Sequence, residues 1–76
     1  MAPELPTLKP REVINALEKA GFENKRQTES HVILYKAGIS RPITVPIHPK
    51  DLPKGTLRAI IRQANLTLEK FVGLLE

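Results

Sequence analysis

The chain has 76 residues, a formal net charge of +4, a pI near 9.8 and no cysteine. That length allows one small core, and an aromatic fraction of 4% makes that core aliphatic. Disulfides, thiolate chemistry and cysteine-based zinc sites are excluded. No apolar run approaches the ~20 residues that span a bilayer, and no signal-peptide pattern opens the chain, so a cytoplasmic location with no membrane partner is expected.

In chain order, residues 1–8 read as a loose, proline-bearing tail, and residues 9–76 as a single domain. Pro10 suits the first position of a helix, where its missing N–H is no loss. Val13, Ile14, Leu17 and Ala20 recur at helical spacing, and Gly21 is placed to stop the helix after Ala20. Residues 22–28 are polar but fit an edge strand. Residues 31–36 are dense in β-formers (Val32, Ile33, Leu34, Tyr35) and read as a central strand. Gly38 and Ser40 mark a hairpin turn over 37–42.

Ile43, Val45 and Ile47 alternate with Thr44, Pro46 and His48, which turns His48 away from the apolar row. Pro46 lacks an N–H, so this strand ends there or lies at an edge. A loop over 49–54 leads to a helix over 55–64 with Leu57, Ile60, Ile61 and Ala64 on one face. Asn65 closes it, and Thr67 caps a last short helix carrying Leu68, Phe71, Val72 and Leu75. Val13, Leu17, Ile33, Leu57, Ile60 and Phe71 are the core candidates. The layer rules then predict an α+β fold, α-β-β-β-α, with a three-stranded antiparallel sheet and its helices on one face.

Charge is uneven along this framework. Residues 25–62 carry eight cations (Lys25, Arg26, Lys36, Arg41, Lys50, Lys54, Arg58, Arg62) against Glu29 and Asp51, while both flanking segments are net −1. A basic middle points to a polyanion. Both histidines fall in it, and His31 follows Ser30 at the head of a strand. A histidine takes and gives protons near neutral pH, and neighbouring cations can hold a phosphodiester meanwhile. Two histidines without cysteines or clustered carboxylates make a poor metal set, so neither metal nor cofactor is expected. No carboxylate is placed to complete a Ser-His-Asp triad around Ser30. Ser30 fits either a phosphate- or His31-orienting role or a plain turn. His48 fits a second acid/base or a structural role in the Pro46–Pro49 turn. Lys25, Arg26, Lys54 and Arg58 are candidate phosphate contacts. The backbone N–H groups of Gly55 and Thr56 at a helix start are too.

Several motifs in order resemble the HicA toxins, mRNA interferases of toxin–antitoxin modules. They are Gly21-Phe22 after the first helix, Arg26 to His31, Val45 to His48, Gly55 to Leu57 opening a helix, and Glu69 with Phe71 in the last. The likeness runs from Leu8 to Leu75. It implies a fold similar to the double-stranded-RNA-binding domain, metal-independent endoribonuclease activity with His31 as the catalytic residue, mRNA as substrate, and a HicB-type antitoxin partner. Glu29 stands where the family usually has glycine, which adds a carboxylate beside the phosphate site. Two other readings stay open: a binding module of the same fold that does not cut, and an interaction protein whose basic patch docks an acidic partner.

Overall fold

The computed structural model describes residues 7–47 and 51–75. The elements follow in the order α1 (Pro10–Lys19), β1 (Glu23–Gln27), β2 (His31–Tyr35), β3 (Ile43–Pro46), α2 (Lys54–Gln63) and α3 (Leu68–Gly73). The three strands form one antiparallel sheet in the order β1-β2-β3. This is the α+β architecture compatible with the double-stranded-RNA-binding-domain type.

The helices start and stop where local chemistry directs. Pro10 occupies the first turn of α1, and the Glu12 carboxylate accepts the Lys9 N–H at 3.0 Å. Gly21 takes φ +103. There its N–H donates to the Glu18 carbonyl while the Phe22 N–H reaches the Leu17 carbonyl, both at 3.0 Å. That paired bond is the Schellman closure, and it seats Phe22 in the core. Asn65 closes α2 the same way at φ 58, with Asn65 N–H on Arg62 and Leu66 N–H on Ile61. Thr67 caps α3 by accepting the Lys70 N–H at 3.1 Å. Helix α2 begins and ends one residue before the range read from sequence; Ala64 is its C-cap and still donates to Ile60.

Burial alternates along β2 and β3. Val32 and Leu34 of β2, with Ile43 and Val45 of β3, pack under Val13, Leu17, Leu57, Ile60 and Phe71. The opposite face of the sheet carries His31, Ile33 and Tyr35. Ile33 therefore is not a core residue as its apolar neighbours suggested. It is half-buried on the open face, opposite Thr44. Leu8, read as tail from the sequence, is buried at 4% exposure, and its carbonyl accepts the Leu52 N–H at 2.8 Å. Residues 1–6 of that tail lie outside the described residues, as does His48.

Strand β1 is exposed along its whole length and is an edge, as β3 is. Its register with β2 runs Asn24↔Leu34 and then Arg26↔Ile33, two residues against one. Lys25 is thus the extra residue of a β-bulge. Without it, Arg26 would share the helix-facing side with Asn24. With it, Arg26 lies opposite Ile33 on the open face, and Gln27 returns to the helix side opposite Val32.

Candidate active site

The hairpin joining β1 to β2 turns over Glu29 and Ser30, with the Thr28 N–H on the His31 carbonyl at 2.8 Å. One hydroxyl organises this corner. Thr28 Oγ1 accepts the His31 N–H at 3.1 Å and the Ser30 N–H at 3.4 Å, and lies 3.3 Å from the His31 carbonyl. Such side-chain bonds to nearby backbone are how threonine shapes turns. Among the described residues only Asn65, besides glycines, has positive φ. Glu29 therefore meets no left-handed backbone demand here, and what it changes is charge: an exposed carboxylate one residue from Ser30.

His31 is exposed, with its ring Nδ1 2.9 Å from Ser30 Oγ. This contact holds the ring from one side and leaves Nε2 toward solvent. The serine hydroxyl can donate to Nδ1 or accept from it, so Nε2 can offer either an N–H or a lone pair. The corner is also tied to the end of β3, since Ile47 N–H donates to the Ser30 carbonyl at 2.7 Å and His31 pairs with Pro46.

The candidate cations divide between two layers. Arg26 stands diagonally from His31 across the β1–β2 ladder on the open face, a distance within reach of long side chains. Lys25 is exposed and pairs with Glu23 at 2.7 Å. The ammonium beside Glu23 lowers that carboxyl's pKa, and the carboxylate raises that of Lys25. Lys54, Gly55, Thr56 and Arg58 belong to the first turns of α2, in the helix layer; all are exposed except Thr56, which is half-buried. Pro53 gives α2 no side-chain cap, and no acid lies in its first turn. The N–H groups of Lys54, Gly55 and Thr56 precede the first intrahelical bond, so they remain donors for an anion. Among the described residues no three His, Asp or Glu side chains gather as a metal site. Sequence reasoning passed over Thr28 and Tyr35. The signal for Tyr35 was available: four residues after His31 in a strand, it shares the same face.

Residues 10–66 match the family described as the HicA toxin of bacterial toxin–antitoxin systems. The chain belongs to the HicA toxin family. A comparison with curated proteins finds no match. Among the described residues no helix is long and apolar enough to cross a membrane.

Proposed function

We propose that this chain is an endoribonuclease acting on mRNA, with His31 as its catalytic residue and a HicB-type antitoxin as its restraint. The supporting observation is the exposed Ser30–His31 pair, with Nδ1 held at 2.9 Å in a chain of a toxin family. Nε2 accepts the proton of a ribose 2′-OH. The 2′-oxygen bonds to the adjacent phosphorus as the bond from phosphorus to the 5′-oxygen breaks. The departing oxygen takes a proton from imidazolium or solvent. The upstream fragment ends in a 2′,3′-cyclic phosphate or its opened form, and the downstream one in a 5′-hydroxyl. RNA is required because the attacking group is its own 2′-OH. Unstructured RNA is the substrate, because a duplex holds its backbone away from in-line attack. Arg26 and the start of α2 supply phosphate contacts, and the chain's charge draws the polyanion in. Cytoplasmic residence follows from the substrate.

The Glu29 carboxylate favours a second reading, a module of the same fold that binds RNA and does not cut. One experiment separates them: wild type, His31→Ala and Glu29→Gly on one unstructured RNA with EDTA present, with circular dichroism as the fold control. We expect cleavage by wild type and its loss by about 100- to 10,000-fold in a folded His31→Ala. Equal cleavage by the two rules out the mechanism. Activity appearing only in Glu29→Gly selects the binding module.

A further inference from the structure

We propose that Tyr35 forms a base-stacking subsite for single-stranded RNA on the open face of the sheet, displaced along β2 from the phosphate position at His31. This rests on the RNA-directed reading above and adds where the substrate lies. Tyr35 is the exposed large hydrophobic side chain among the described residues, at 43%. It shares its face with His31, four residues away in the same strand, roughly 13 Å at the usual strand rise.

It also lines a shallow concavity of about 450 Å³ with Gly21, Glu23, Lys25, Lys36 and Ala37. Two of these five neighbours are lysines. Lys36 is held with its ammonium 5.5 Å from the Phe22 ring centre. The wall at Gly21 stays low because the residue has no Cβ; one placed there would sit 3.3 Å from Lys36 Cε. Among the described residues the only carboxylate lining the hollow, Glu23, is offset by Lys25 at 2.7 Å.

An aromatic face beside fixed cations meets both halves of a nucleotide, the base by stacking and the phosphate by charge. Stacking tolerates any base, so Tyr35 contributes affinity and placement more than sequence choice. The bulge at Lys25 adds to the arrangement by turning Arg26 onto this face, between the Tyr35 hollow and the His31 corner.

The chain contains one tyrosine and no tryptophan, so its intrinsic fluorescence reports on Tyr35 alone. The probe is a short single-stranded RNA with 2′-O-methyl groups throughout, which lacks the attacking hydroxyl and stays intact. We expect saturable quenching of the tyrosine emission. Affinities of the tyrosine-free variants are read from the anisotropy of the same RNA carrying an end label: Tyr35→Ala should bind about tenfold more weakly, while Tyr35→Phe, which keeps the ring, should bind like wild type. On cleavable RNA, Tyr35→Ala should raise KM and leave kcat in place. Circular dichroism checks the fold of both variants.

Binding without quenching, or equal affinity of folded Tyr35→Ala, overturns the subsite even if cleavage proceeds. Quenching with no cleavage of unmodified RNA keeps the subsite and removes the ribonuclease reading. Emission that changes with protein dilution and ignores RNA assigns the face to a second copy of the chain and overturns the proposal. A response to an acidic protein partner and not to RNA overturns it as well.

Discussion

The two faces of the sheet are built from alternate residues of the same strands, yet they do different things. Val32 and Leu34 point into a sealed core that is mostly aliphatic but also takes in Phe22 and Phe71, whereas His31, Ile33 and Tyr35 between and beside them face outward. One face is held by packing, where shape and volume decide. The other is available for chemistry, because among the described residues the helices pack on the opposite side and leave His31 and Tyr35 exposed. Substitution on one face should therefore separate from substitution on the other, although neighbouring residues are involved.

The sharpest break is Leu34→Ala against Ile33→Ala. Leu34 is fully buried, and removing it leaves a cavity under both long helices, at a cost of about 2–5 kcal/mol. Ile33, half-buried and outside that core, should lose at most about 1 kcal/mol. Urea unfolding of both variants measures the difference; equal losses would mean that the open face is packed after all.

The next test asks which layer meets the phosphates. Arg26→Glu alters the sheet face, and Lys54→Glu with Arg58→Glu alters the helix layer. Each lost phosphate contact should reduce the slope of log affinity against log salt by about 1. If only the helix pair changes the slope, RNA crosses α2 and leaves the sheet face aside.

The smallest effect belongs to the exposed pair on β1. Glu23→Gln frees the Lys25 ammonium, and RNA affinity should rise modestly at low salt and return to the wild-type level at high salt. A fall in affinity would mean that the carboxylate positions Lys25 and does not compete with RNA. Acid alone reaches the same end late, since the depressed Glu23 carboxyl stays ionised to lower pH than an ordinary glutamate.

Most of the framework is legible in the residues. Pro10, the spacing of Val13 and Leu17, and Gly21 mark both ends of α1, and Thr67 marks the start of α3. The strands are less plain. Val32, Ile33 and Leu34 form a continuous apolar run, which hides the alternation that places Ile33 outside. β1 has no apolar pattern, since all five of its residues are exposed. The Ser30–His31 adjacency is visible in the sequence, but the Nδ1 contact is not, because it depends on a turn organised by Thr28. Nor is it plain from the sequence that Lys36 meets Phe22, since that contact depends on the register that brings the two residues together at the open end of the β1–β2 hairpin.

The bulge at Lys25 sets the chain's frame of sides. A strand has a reading frame of two, and an inserted residue shifts everything beyond it. Excising Lys25 alone would leave every remaining side chain unaltered in kind, yet it would exchange the faces of residues on one side of the cut. Either Arg26 turns to the helix layer, or Glu23 and Asn24 trade places. Length variation at this point, more than any substitution, is then the route by which relatives of this chain would redraw what their open face presents.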